Sequence, residues 1–152
     1  MVIGYDSENK RVLMISKDIL ASASFGDTAV WKNSELRDWL NGDFINGAFT
    51  SAERSLIDAN IYEEYGEDED DVISTSSEKI SLLSEYELKK YLPDILDAKA
   101  EGAGENEWWL RTPSETAGAV VYVADNGRVA SLGAAVGESY GVRPIMWVEL
   151  TY

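Results

Sequence analysis

Neither cysteine nor histidine occurs among the 152 residues. Without cysteine there are no disulfides, no thiol nucleophile and no thiolate zinc site, and thiol usage says nothing about compartment. Without histidine the usual general base, the Ser-His triad and the commonest zinc ligand are missing. Basic residues are scarce: 13 Lys and Arg stand against 28 Asp and Glu, for a net charge of −15. Nucleic acids and anionic membrane surfaces are recognised through basic patches, so neither is an expected partner. No apolar run approaches the roughly 20 residues of a membrane span, and no membrane insertion is expected. The N-terminal stretch Met1-Val2-Ile3-Gly4-Tyr5 has neither the basic region nor the apolar run of a signal peptide. Gly102-x-Gly104 follows no strand and opens no helix, so no phosphate-cradling loop is expected. Carboxylate chemistry remains, and paired acids hydrolyse glycosides. With so many acids, however, chance pairs are certain. An enzyme is not expected, nor is a cofactor.

What the chain has is apolar and aromatic material. Hydrophobic residues make up 45%, with five Trp and eight Tyr. That is enough for a folded core without staples, and the length fits one domain over 1–152. Val2–Tyr5 and Arg11–Ser16 flank the turn formers Asp6 to Asn9 and read as a hairpin whose second strand, nearly continuous in apolar residues, is central and buried on both faces. Residues 19–28 are small and polar and read as a loop. Asn33 or Ser34 caps a helix carrying Leu36, Trp39 and Leu40, with Gly42 as its expected stop. Phe44, Ile45 and Phe49 form a second apolar cluster. Thr50-x-x-Glu53 and Ser84-x-x-Glu87 are capping boxes. The first opens a helix with Leu56 and Ile57 on its inner side; the second opens one that runs to Tyr91 before Pro93 stops it. Between them lie an acidic loop from about 62 to 71 and an expected strand over 79–83. Residues 94–107 read as a surface connection. Strands over 119–124 and 128–132 are joined by Asp125-Asn126-Gly127, a tight-turn signal, and a last strand runs from Pro144 to about Leu150. Short strands with two or three short helices give an α+β fold with antiparallel sheet.

Three groups of residues invite a functional reading. The acids Glu63, Glu64, Glu67, Asp68, Glu69, Asp70 and Asp71 form either a solvated, self-repelling loop or a weak divalent-cation site, without EF-hand spacing. Arg37, Arg111 and Arg143 sit in apolar stretches near Trp39, Trp109 and Trp147. Each either satisfies backbone carbonyls or a carboxylate while stacking on a ring, or recognises an anion. Trp108 and Trp109 are adjacent, so on a strand they face opposite ways; one is expected in the core and the other partly exposed as a ligand platform.

The last third has fixed-looking ends around a permissive middle. Trp108-Trp109-Leu110-Arg111-Thr112-Pro113 opens it and Gly141-Val142-Arg143-Pro144-Ile145-Met146-Trp147 closes it. If Val121 and Val123 face the core, Val120, Tyr122 and Ala124 face out. If Val129 and Ser131 face in, Arg128, Ala130 and Leu132 face out. The outward strip of Tyr122, Ala124, Ala130 and Leu132, extended by Ala134, Ala135 and Tyr140, is either a small-residue face under a loop or a ligand face anchored by Tyr and Leu.

Several motifs occur in a fixed order: Trp31…Ser34-x-Leu36-Arg37-x-Trp39-Leu40-Asn41, Phe44, Phe49-Thr50-x-Ala52-Glu53, Lys79-Ile80-x-Leu82-Leu83-Ser84, Trp108 to Pro113, and Gly141-Val142-Arg143-Pro144. This ordered set resembles an uncharacterised domain family of secreted and surface proteins from gut Gram-positive bacteria and their phages. The resemblance implies a C-type-lectin-like fold of the formylglycine-generating-enzyme branch. The copper-binding cysteines of those enzymes are absent, so their activity does not carry over, and the calcium motifs of animal lectins are missing too. The segment 112–140 is similar in position to the diversified segment of the variable proteins of diversity-generating retroelements. Carried over by position, the ligand face is Glu115, Thr116, Tyr122, Ala124, Ala130, Leu132, Ala134 and Tyr140. The resemblance implies an extracellular, cell-surface or phage-displayed binding module with a protein or glycan ligand. A fixed-specificity carbohydrate-binding module and a structural domain of a larger surface protein are the alternatives.

Overall fold

The computed structural model describes residues 1–65 and 72–151. Its architecture is α+β: short, mostly antiparallel sheets with a few short helices, as the alternation of short apolar runs and capping signals predicts. The first hairpin forms as expected, β1 (Val2–Asp6) against β2 (Arg11–Ile15). β2 is central because β11 (Ile145–Glu149) pairs on its other side, and β4 (Ile57–Asp58) completes the order β1-β2-β11-β4. Only Leu13 and Ile15 of β2 are fully buried, so that strand is covered on one face more than the other.

The second sheet has the order β3-β10-β7-β8-β9, from β3 (Ala21–Ser24), β7 (Trp108–Pro113), β8 (Ala119–Val123), β9 (Val129–Ala135) and β10 (Ser139–Val142). Two of its strands depart from the sequence reading. Residues 19–28, expected as a loop, contain β3, and a strand, β10, precedes the one expected from Pro144. Ala21 to Ser24 pair residue for residue with Val142 to Ser139. The small side chains of β3 carry little strand preference of their own, and pairing with β10 across the fold overrides it.

The centre of this second sheet is covered on both faces. Trp108, Leu110, Val121 and Val123 pack with Leu13, Ile145 and Leu88 in one apolar cluster. Trp109, Val120, Ala134 and Val142 pack on the other side with Phe25, Trp31, Leu36 and Leu40. Alternation therefore sends Trp108 and Trp109 into two different cores, and neither is exposed. Each indole N–H is satisfied, by Ala98 O at 3.0 Å and Ala23 O at 2.9 Å. The expected exposed platform at this pair does not exist; the most exposed indole is Trp39, at 37%.

The helices follow their caps. Ser34 Oγ accepts from the Arg37 N–H and opens α1 (Glu35–Trp39). Gly42 does not stop it. The path widens into a π turn over Leu40–Phe44 and continues as α2 (Ile45–Ala48), drawn on by the burial of Leu40 and Ile45. Both capping boxes form, at α3 (Ser51–Ser55) and α4 (Glu85–Tyr91). α3 ends before Leu56, and Ile57 reaches the core from β4 instead. The 94–107 connection holds a short α5 (Ile95–Ala98), with Ala98 buried.

The expected acidic loop begins as a strand. β5 (Asn60–Tyr65) pairs antiparallel with β6 (Val72–Glu78), so Glu63 and Glu64 are strand residues. Glu67 to Asp71 lie outside the described residues. The expected strand over 79–83 is an extended crossing with a single bridge, Ser81 to Ile145. Side chains satisfy its backbone where a ladder would have. Asn41 Oδ1 accepts from the N–H groups of Lys79 and Ile80, and Asn41 Nδ2 donates to Ile80 O at 2.8 Å. Arg111 donates to Leu82 O at 2.7 Å.

Candidate functional site

The arginines are framework. Arg143 is buried over the Trp108 ring, 5.0 Å from its centroid, and donates to Ser16 O at 2.7 Å and Asp97 O at 3.2 Å. Arg111 is buried 5.1 Å over the Tyr62 ring. It donates to Leu82 O and Glu63 O, pairs with Glu87, and lies with Nε 2.8 Å from Glu64 Oε1. Arg37 bonds Glu78 at 3.1 Å and Ser77 O at 3.0 Å. Backbone carbonyls or a carboxylate accept from all three, at Arg143 carbonyls alone, with stacking at Arg111 and Arg143 on Tyr62 and Trp108.

Around Arg111 the second carboxylate is under strain of charge. Burial, followed by the nearby Glu87 charge, pushes the Glu64 carboxyl up to about 7, against the pull of Arg111. Neither Glu64 oxygen has an aligned hydrogen-bond donor, despite the short distance to Arg111 Nε. We regard the contact as an ion pair without a directional bond. Among the described residues, no three acidic side chains converge as metal ligands.

The residues expected to form the ligand face fall into two groups and one exception. The first group is aromatic. Tyr122 and Tyr140 stack with ring centroids 4.6 Å apart, and Tyr140 rests against buried Trp109 at 4.9 Å. Trp109 in turn meets Phe25 at 5.5 Å, and Phe25 meets Trp31 at 5.8 Å. A continuous run of rings therefore leads from the core to two half-buried tyrosines. Ala130 lies directly across from Tyr122 in the ladder, and Ala124 follows two positions on, on the same side of the strand. Burial, and then Tyr122 alongside, pushes the Tyr140 phenol up to about 12. It is a neutral hydroxyl at physiological pH, a donor and acceptor for polar ligand groups.

The second group is Glu115, Thr116 and Leu132. The β8–β9 register passes from Val120↔Ala134 to Tyr122↔Ala130, so β9 spends two more residues than β8 over this interval. The excess forms a bulge. Gly133 takes φ +74°, and a Cβ there would stand 2.7 Å from Val120 O. Leu132 is thrown outward and is 81% exposed, among the most exposed apolar side chains of the protein. Ser114 ties the β7–β8 turn to this bulge: its Oγ lies 2.8 Å from Leu132 O and 3.1 Å from Ser131 O, and accepts from the Thr116 N–H. Glu115 and Thr116, both exposed, are thus held beside Leu132.

The exception is Ala134. It pairs with Val120, and both are buried in the second core, so neither faces out. Ser131, expected to face in, is exposed because the bulge breaks the alternation. The turn beyond also differs from its expectation. Only Gly127 has positive φ (+83°), in a three-residue loop where Gly127 N–H donates to Ala124 O and Ala124 N–H to Arg128 O. Neither Ser114 nor Gly133 belongs to a motif legible in the sequence reading above. A glycine inside a strand pattern is the available signal for such a bulge.

Among the described residues no helix is long and apolar enough to cross a membrane. Comparison with known proteins matches residues 9–150 to the model of a domain of unknown function, DUF6273. No curated protein and no solved structure shows significant similarity to the chain.

Proposed function

The chain belongs to the DUF6273 domain family, and we propose that it is a non-enzymatic binding module whose ligand face is built on β8, β9, the start of β10 and the β7–β8 turn. The observation that carries this reading is the tyrosine pair. Tyr122 and Tyr140 are braced from beneath by Trp109, Phe25 and Trp31, with small side chains at Ala124 and Ala130 beside them. Rigid aromatic rings with a polar tip bind at low entropic cost, and small neighbours leave room for a ligand to reach them. The bulge adds an exposed apolar anchor in Leu132 next to Glu115 and Thr116. Ala134 is not part of the face.

The finer fold assignment that goes with this reading is C-type-lectin-like. Short antiparallel strands around a few short helices, with arginines locking the ends of the segment, are compatible with it. In that reading residues 112–140 are the changeable part of a fixed scaffold, as in retroelement-diversified variable proteins. The module is displayed at a cell or phage surface, and its ligand is a protein or a glycan.

The test is binding by the intact chain to a glycan array and to an array of extracellular proteins, followed by Leu132→Asp, Tyr122→Ala and Tyr140→Ala on any ligand found. Leu132 is exposed, so its substitution leaves the fold unchanged and reads the face alone. Loss of binding in all three variants supports the face; unchanged affinity in Leu132→Asp and Tyr140→Ala removes it. Recognition of one glycan by invariant residues would favour the fixed-specificity carbohydrate module, and silence on both arrays would favour a structural domain.

A further inference from the structure

Two carboxylates border the tyrosine pair, and the fold leaves both without a cation. Glu107 immediately precedes β7, and its carbonyl accepts from the Gly141 N–H at 2.8 Å, which sets it beside Tyr140 on β10. Strand alternation puts its side chain on the Trp109 side, the side that carries Tyr122 and Tyr140. Glu138, two residues before Tyr140, brings Oε2 to 3.5 Å from the Tyr140 hydroxyl, the outer limit of a hydrogen bond. Both charges reach that phenol: after burial and Tyr122, Glu138 and Glu107 help to push it up. Glu107 is half-buried and Glu138 exposed, so a ligand on the rings can touch either.

Carboxylates elsewhere in the protein are matched. Glu78 pairs with Arg37, and Glu87 with Arg111. Among the described residues neither Glu107 nor Glu138 has an ion-pair partner, and the Glu107 side chain accepts no hydrogen bond. Arg128, joined to Ala124 across the turn, pairs with neither. Burial, then the Asp125 and Glu105 charges, push the Glu107 carboxyl up, a crowding that a bound cation would relieve. Aromatic rings attract cations, and carboxylates accept the N–H groups of guanidinium and ammonium. A net charge of −15 draws such groups in from a distance. We infer that the ligand of the tyrosine face is a protein that presents a basic side chain, lysine or arginine, whose cation lies against Tyr122 and Tyr140 and is held by Glu107 and Glu138. This rests on the binding reading of that face and specifies its partner.

The probes are N-acetyl-arginine amide and its neutral isostere N-acetyl-citrulline amide, titrated at fixed ionic strength into the intact chain carrying ring-¹³C tyrosine. The spectrum of Tyr140→Phe identifies the Tyr140 signal. The arginine compound should shift that signal saturably, in roughly the millimolar range, and the citrulline compound should not. Glu107→Gln removes a carboxylate that has no partner in the fold, so the fold should persist. The arginine compound should then bind about five-fold more weakly, the yield of one charge-assisted hydrogen bond at a half-buried site. Glu8→Gln takes the same charge from the exposed first turn and should leave the affinity unchanged. No saturable shift, equal shifts with citrulline, or equal weakening in Glu8→Gln and Glu107→Gln overturns the proposal. The face itself survives those outcomes if an array ligand still loses affinity in Leu132→Asp and Tyr140→Ala. An array ligand insensitive to both variants removes the face and the proposal together.

Discussion

Replacing Glu64 by Gln should flatten a specific part of the protein's stability profile against pH. Glu64 is buried, both oxygens lack an aligned donor, and it shares Arg111 with Glu87. Burial is the largest cause of its displacement from 4.5 to about 7. A raised carboxyl holds its proton in the folded state where the unfolded chain has released it. The resulting stability is fully present below pH 4.5 and is lost as pH rises to about 7. The displacement from 4.5 to about 7 corresponds to on the order of 3 kcal/mol. Glutamine keeps the shape and carries no titration. Urea unfolding of wild type and Glu64→Gln, followed by tryptophan fluorescence between pH 4.5 and 8, gives the difference directly, and the other acids largely cancel in it. The wild type should lose stability relative to the variant by a few kcal/mol across that window. A flat difference, or one of opposite slope, would refute the argument that desolvation outweighs the pull of Arg111.

Three further substitutions test the framework. Ser34→Ala removes the α1 cap, whose oxygen accepts from the Arg37 N–H, and should cost about 1 kcal/mol in denaturant unfolding. Gly141→Ala places a Cβ 2.6 Å from Glu107 O and 2.7 Å from the Ile19 side chain, where β10 runs beside β7; it should cost about 1–3 kcal/mol, read as a lowered melting temperature. Gly133→Ala forces a left-handed alanine against Val120 O. Amide exchange should show loosening confined to β8, β9 and the Ser114 turn, with the first sheet unchanged.

Features that depend on residues near in sequence were legible without the structure. Thr50 and Glu53, Ser84 and Glu87, and the turn before Arg11 specify their elements within a few positions, and all three formed. The arginines were legible for a related reason, since a guanidinium inside an apolar stretch must be paired. Features set by distant partners were not. β3, Ala-Ser-Ala-Ser, is built of small residues that become a strand only by pairing with β10 across more than a hundred positions. Trp108 and Trp109 are both buried because β7 is covered on both faces, which adjacent residues alone cannot reveal. On the candidate face, alternation correctly sent Val121 and Val123 inward and left Tyr122 at the surface. It misplaced Val120, Ser131 and Ala134, because a second core covers one end of the strip and the bulge at Gly133 resets the phase.

The claim that a fixed framework presents a changeable ligand face is tested most directly by sequencing the coding region across a large population of source cells. The account predicts that variation concentrates at Glu115, Thr116, Tyr122, Ala124, Ala130, Leu132 and Tyr140, favours adenine-bearing codons, and spares Ala134, Trp108 to Arg111 and Gly141 to Pro144. Variation spread evenly over the segment and the helices, or reaching the buried positions as often as the exposed ones, would contradict it.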